Sequence, residues 1–82
     1  MRLDKYLKVS RIIKRRTVAN EACDAGRVAV NGKIARASYD VKVNDVIELT
    51  LGARTVKARV VSVNEYAKKD EAAMMYEIIE EK

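Results

Sequence analysis

Gly26-Arg27-Val28-Ala29-Val30-Asn31-Gly32-Lys33 is the stretch from which the fold can be read. Val28 and Val30 alternate with the smaller Ala29, the period-two pattern of a strand with one buried face. Asn31-Gly32 then supplies two residues that tolerate positive φ, as a tight hairpin turn requires. Lys33-Ile34-Ala35-Arg36 is the expected returning strand. Gly26 stands where a helix should end, because glycine readily adopts the left-handed conformation that commonly follows the last helical turn. The stretch therefore marks a helix passing into an antiparallel hairpin.

Toward the N-terminus, the helix that ends at Gly26 is expected to run from Val18 to about Ala25. Thr17 is its expected N-cap, and Glu21 lies early enough to complement the helix dipole. Ser10 to Arg16 reads as a bend, with Ile12 and Ile13 turned inward and Lys14, Arg15 and Arg16 crowded together. Before it, Leu3, Tyr6 and Leu7 fall at helical spacing, Arg2, Lys5 and Lys8 occupy the other face, and Asp4 sits near the start. A helix of about two turns cannot stand alone in water, so its apolar side must dock on the rest of the domain.

Toward the C-terminus, Val43-Asn44-Asp45 predicts a turn into a strand from Val46 to Leu51; Gly52 reverses the chain and Thr55 to Val63 returns. Val56, Ala58 and Val60 share one face of that return, whereas Val61 and Val63 switch phase, which predicts a bulge or strong twist. In the tail, Ala72, Met75, Tyr76 and Ile79 fit a helix, while Tyr76 to Glu80 also fits a strand; the reading adopted is a helical turn from about Asp70 to Met75 and then a short closing strand. With no proline, repeat or low-complexity tract, residues 1–82 are expected to form one domain. The expected class is α+β: two short N-terminal helices packed on a small, mostly antiparallel, twisted sheet.

Charge points to a partner. The 82 residues carry 17 Lys and Arg against 12 Asp and Glu, a net charge of +5. Residues 1–41 hold ten cations and four carboxylates, whereas residues 42–82 hold seven and eight, so a binding face belongs to the first half. Arg2, Lys5, Arg11, Lys14, Arg15 and Arg16 come from the first helix and the bend, and Arg27 and Lys33 flank the far end of the second helix. These segments can converge on one surface. Five of those eight are arginines, whose planar forks match phosphate oxygens. A merely solvated face normally mixes signs, but Lys14-Arg15-Arg16 has no acidic neighbour nearer than Glu21. No predicted helix is long enough to read a major groove, and the chain lacks Phe and Trp, so folded RNA recognised by shape and phosphate position is favoured.

Catalysis lacks its usual parts. There is no His, and the single Cys23 has no partner for an internal disulfide; among Ala19, Ala22 and Ala25 it reads as a small buried residue. Gly26, Gly32 and Gly52 fall one per turn and make no phosphate-cradling loop. A domain of this size offers little room for a closed pocket. Hence no enzyme activity, metal, cofactor or small-molecule substrate is expected. Asp4 and Lys8 interrupt any secretory signal, and no stretch is long enough to span a bilayer, so the expected location is the cytoplasm, away from membranes.

The ordered set Arg2-Leu3-Asp4-Lys5, the basic Arg11 to Thr17 stretch, Gly26-Arg27-Val28, Val30-Asn31-Gly32-Lys33, Ser38 and Asn44-Asp45 resembles the alpha-L RNA-binding motif of the ribosomal protein S-four superfamily. The resemblance spans roughly residues 1–50, leaving a C-terminal hairpin and tail at 51–82. The opening Arg2 to Arg16 and the late Glu71-Ala72-Ala73-Met74-Met75-Tyr76 resemble the heat-shock-type branch, and within it the RqcP-like family. That resemblance implies binding to ribosomal RNA of large subunits obstructed by peptidyl-tRNA, and help to an RqcH-like tailing factor that adds alanine, with the protein acting as a monomer. It also implies that Arg2, Lys5, Arg11, Arg15 and Arg16 face ribosomal RNA and tRNA, with Asn31 at the hairpin beside them. Asn44 departs from the glycine usual before Asp45; asparagine also tolerates positive φ, so the turn should survive. Two rivals remain: a recycling or general structured-RNA module, and a protein adaptor docking through the acidic tail from Asp70 to Glu81.

Overall fold

In the computed structural model, which describes residues 1–81, Leu3, Tyr6 and Leu7 share one side of the first helix, α1 (Leu3–Val9), and are wholly buried. Truncating any of them to alanine should cost about 2–5 kcal/mol, the usual range for emptying a packed site. After Ser10, Arg11 takes a left-handed φ of 64°, which turns the chain so that Ile13 is buried and Ile12 packs at the edge of the core.

The second helix, α2 (Arg16–Asp24), buries Ala19, Ala22 and Cys23 against the core. It begins before the expected cap. Arg15 is the extended residue at its start and no side chain caps it, so Thr17 lies in the first turn and Glu21 beyond it. The Arg16 guanidinium instead reaches the Asp4 carboxylate of α1 at 3.5 Å, anchoring the first turn through a tertiary ion pair. The other end is as expected. Gly26 has φ 73°, its N–H bonds the Cys23 carbonyl at 3.0 Å and the Arg27 N–H bonds that of Ala22 at 2.9 Å, closing the helix in a Schellman motif.

The hairpin follows as β1 (Val28–Val30) and β2 (Lys33–Ile34), with Val30 opposite Lys33 and positive φ at Asn31 and Gly32. β2 is shorter than the Lys33 to Arg36 expected. The Ala35 N–H still bonds the Val28 carbonyl at 3.0 Å, but the residues beyond it leave the sheet to serve α1, whose Leu3 and Asp4 N–H groups bond the Tyr39 and Ala37 carbonyls at 2.8 and 3.2 Å. Two longer strands, β3 (Val46–Leu51) and β4 (Arg54–Val60), then pair, with Gly52 turning between them. The register of β4 on β5 slips at Lys57/Ala58, whereas the phase change expected at Val61 falls past the end of β4 at Val60, where the Val61 and Ser62 N–H groups turn to the Met75 carbonyl. A short helix, α3 (Lys69–Ala72), precedes the closing strand β5 (Tyr76–Glu81), so the mixed reading of the tail holds.

The sheet runs β2-β1-β3-β4-β5, and every pair is antiparallel. Val28, Val30, Ile47, Leu49 and Val60 share one core with the buried faces of α1 and α2. On the opposite face of β4, Arg59 pairs with Glu77 of β5 at 2.6 Å and Lys57 with Glu48 of β3 at 3.8 Å; Arg54 and Glu81 close the end of the β4–β5 pair. The α+β class is therefore the observed one.

Candidate RNA-binding surface

Asp4 organises the basic surface. It is only 2% exposed, yet its carboxylate accepts hydrogen bonds from Arg2 Nε at 3.2 Å, Asn20 Nδ2 at 3.3 Å, Arg16 Nε at 3.5 Å and the Lys5 N–H at 2.8 Å. Burial alone would raise its pKa, but the bonds from Asn20, Arg2 and Lys5 and the charge of Arg16 prevail and hold the carboxyl below its ordinary value. The two guanidinium side chains remain 51% and 48% exposed. One carboxylate shared by two arginines leaves a net positive charge and unspent donors on both forks, set side by side on elements that cannot rotate independently. These cations were expected to converge on one surface. They are aimed by a carboxylate of their own chain, and Lys5 likewise pairs with Glu65 at 3.4 Å.

From Arg2 a cleft of about 490 Å³ runs past Asn20 and Gly26 to Arg36 and Ser38, and a neighbouring one shares Arg36 and Ser38 and continues to Asn31 and Lys33. Arg36 extends the cationic face and was not among the expected contacts. It counted toward the charge of the first half, but as the last residue of a longer strand it carried no sign of facing the helices' cleft.

At the other end of α1, Lys8, Arg11 and Lys14 line a cleft of about 540 Å³ whose far wall is Glu65 and Ala67. Arg15 and Arg27 are exposed at the two ends of α2, about 14 Å apart along its axis. The structure thus brings Arg2 and Arg16 together, places Arg11 and Lys14 in one cleft and Lys33 beside Arg36, and leaves Arg27 apart from Arg15. The single patch expected from the sequence is a set of cationic groups spread along α1 and around α2.

Asn31, at the hairpin beside these cations, is held by its own chain. Its Nδ2 donates to Asp45 at 3.0 Å and its Oδ1 accepts from the Val46 N–H at 2.9 Å, which pins the hairpin turn to the start of β3. Asp45 also accepts from Tyr39 Oη at 2.8 Å and the Lys42 N–H at 2.9 Å. Against the upward push of burial, these bonds keep its pKa below the ordinary value. Asn44 takes φ 78° and accepts from Arg59 Nη1 at 2.9 Å, so the turn survives without glycine. Cys23 is buried; burial, then the charges of Asp4 and Asp24, push its thiol up to about 11, leaving it protonated at neutral pH. Among the described residues no helix is long and apolar enough to cross a membrane.

Residues 1–47, which carry every cation of this surface from Arg2 to Arg36, match the S4 domain. The chain belongs to the S4 domain family. This S4 protein is 57% identical over 81 residues to the RQC P-site tRNA stabilizing factor of Streptococcus pneumoniae, covering 99% of the chain and 92% of that relative. For the factor of the same name from Bacillus subtilis the identity is 51%, over 99% and 94% of the two chains. Heat shock protein 15 of Escherichia coli is 34% identical over 94% of this chain and 59% of its own length. Among solved structures, trimeric heat shock protein 15 of Vibrio cholerae superposes with a TM-score of 0.87 at 28% identity, over 95% of this chain and 80% of that one. The resemblance carried by Arg2 to Arg16 and by Glu71 to Tyr76 therefore holds, both for the superfamily and for its heat-shock-type, quality-control branch.

Proposed function

We propose that this S4 protein is a non-catalytic RNA-binding factor that holds peptidyl-tRNA on obstructed large ribosomal subunits in the cytoplasm, and so assists alanine tailing of stalled nascent chains by an RqcH-like factor. The observation that carries this reading is the Asp4-organised pair Arg2 and Arg16, two half-exposed guanidinium groups locked side by side. Phosphate contacts of this kind fix position without reading sequence, which suits a factor that stabilises a complex rather than transforms it. The relatives named as P-site tRNA stabilizing factors supply the second support.

The cations form two stations at opposite ends of α1, a helix roughly 10 Å long. Arg2, Arg16, Arg36 and Lys33 hold one RNA backbone; Arg11, Lys14 and Lys8 hold another, with Arg15 and Arg27 reaching outward from α2. One station takes ribosomal RNA and the other the tRNA, and the factor works as a single copy. Residues 1–50 form the RNA-binding motif, and the strands from Arg54 to Val60 and from Tyr76 to Glu81 complete the sheet that keeps it rigid. The acidic-tail adaptor loses support, because Glu77 and Glu81 are engaged with Arg59 and Arg54 across the sheet.

The test is cofractionation of the purified protein with large subunits that carry peptidyl-tRNA, compared with vacant subunits and with an unrelated structured RNA. Selective retention on tRNA-bearing subunits is the expected result. Equal retention on all three would leave only a general RNA-binding module.

A further inference from the structure

Tyr66 stands out among the side chains not yet used. It is 85% exposed, on the loop between β4 and α3, in a protein that buries Tyr6 completely. The loop is not slack around it. The Tyr66 N–H donates to Asn64 Oδ1 at 3.0 Å, and Asn64 Nδ2 donates to Glu71 at 3.4 Å, tying the turn to α3. The Lys5 ammonium lies 5.8 Å from the centre of the ring while pairing with Glu65. The flanking residues Glu65 and Ala67 are the far wall of the cleft lined by Lys8, Arg11 and Lys14. One wall is therefore cationic; the other carries a carboxylate, and an aromatic ring stands beside it.

This asymmetry dictates how a nucleotide would lie there. Phosphates go to Lys8, Arg11 and Lys14, because the loop wall has no cation to spare: the Lys5 ammonium there is already paired with Glu65. What reaches the loop wall is the base, a flat apolar surface that stacks on an exposed ring with little regard to sequence. We propose that Tyr66 is a stacking platform for one unpaired nucleobase of the bound RNA, whose backbone runs through the Lys8–Arg11–Lys14 cleft. The proposal rests on the RNA-binding reading and deepens it: the factor holds a single-stranded nucleotide as well as phosphates of folded RNA. It also gives Lys5 a task, since its ammonium near the ring and its pairing with Glu65 set the loop wall against α1.

The probe is an RNA stem-loop carrying 2-aminopurine as an unpaired loop base, whose emission falls when it stacks. With the full-length protein, Tyr66→Leu should weaken binding by about 5- to 100-fold and abolish the quenching, whereas Tyr66→Phe should retain both. The salt dependence of binding should be the same in all three, because the ring carries no charge. Thermal unfolding should be unchanged in both variants, since the side chain they alter is 85% exposed. If Arg11→Ala weakens binding but Tyr66→Leu neither weakens it nor restores emission, the RNA reading stands and the platform is refuted. If the wild-type protein fails to bind the stem-loop at all, both fall. Intact RNA binding in Tyr66→Leu combined with lost alanine tailing in cells would assign the ring to a protein partner and overturn the proposal.

Discussion

The hydroxyl of Tyr6 donates a 2.7 Å hydrogen bond to the carbonyl oxygen of Met75, joining the first helix to the residue that precedes the last strand. Burial, with a smaller contribution from Tyr76, raises the Tyr6 pKa further above its already high ordinary value, so the phenol remains a donor throughout the physiological range. Met75 also accepts the Val61 N–H at 2.8 Å, so removing the hydroxyl does not leave its carbonyl without a partner. Tyr6→Phe should therefore cost only about 0.5–1.5 kcal/mol, the net worth of one such bond, while Tyr6→Ala should cost about 3–5 kcal/mol through the emptied core. Urea denaturation of the two variants measures the difference.

Asp4→Asn separates orientation from charge. The substitution raises the net charge by one, which by long-range electrostatics alone would tighten RNA binding. If Asp4 aims Arg2 and Arg16, binding should instead weaken by about tenfold, roughly 1.4 kcal/mol. Filter binding to tRNA-bearing large subunits reads the sign, and tighter binding in the variant would show that the two arginines act as unoriented charge.

Arg11 occupies a left-handed conformation that glycine adopts without penalty. Arg11→Gly should leave stability unchanged or raise it by up to about 1 kcal/mol, since the strain of the bulky residue disappears. RNA affinity should fall in the same variant. A protein that is as stable but binds less well would mark Arg11 as retained for its cation at the expense of its backbone.

Salt dependence counts the phosphates. If about four to six are engaged, log affinity should fall against log salt with a slope near −3 to −5. Arg16→Ala should reduce the magnitude of the slope by somewhat under one unit and deplete the protein from large-subunit fractions. A flat response in the wild type would be incompatible with a phosphate-held complex.

Acid should loosen the fold in a defined direction. Asp4 and Asp45 both titrate below their ordinary 3.8 in the folded protein, so the unfolded chain binds more protons as the pH approaches that value. Their contribution to stability is complete above the unfolded pKa and drains away as the pH falls below 3.8 through the folded values. Denaturation midpoints measured between about pH 6 and pH 3 should therefore decline, and the decline should be shallower in Asp45→Asn.

Much of this architecture was legible because it is local. Asn31-Gly32, Gly26 and the alternation of Val28 and Val30 each impose a backbone conformation on their immediate neighbours, and all three stand as read. The start of α2 was not legible, because it depends on Asp4, twelve residues earlier, rather than on Thr17. β2 was overread for a similar reason: the Ala35 N–H still bonds the Val28 carbonyl at 3.0 Å, but the chain beyond it is drawn away to α1. Individual cations were readable by type and position, whereas their grouping was not. Asp4 was legible only as an acid near the start of the first helix, and the fold shows that it gathers Arg2, Arg16 and Asn20. Asn31 was legible as a hairpin residue, but not that Asp45 and Val46 take both ends of its amide.

The cross-strand pairing of Arg59 with Glu77 and of Arg54 with Glu81 has a consequence at a distance. By cancelling the positive charge of β4 within the sheet, it leaves the protein's field lopsided, strong around the helices and weak along the outer strands. A body with such a field is turned by a polyanion before it touches it, so collisions occur helix-first more often than chance allows, and the encounter rate rises accordingly at low ionic strength.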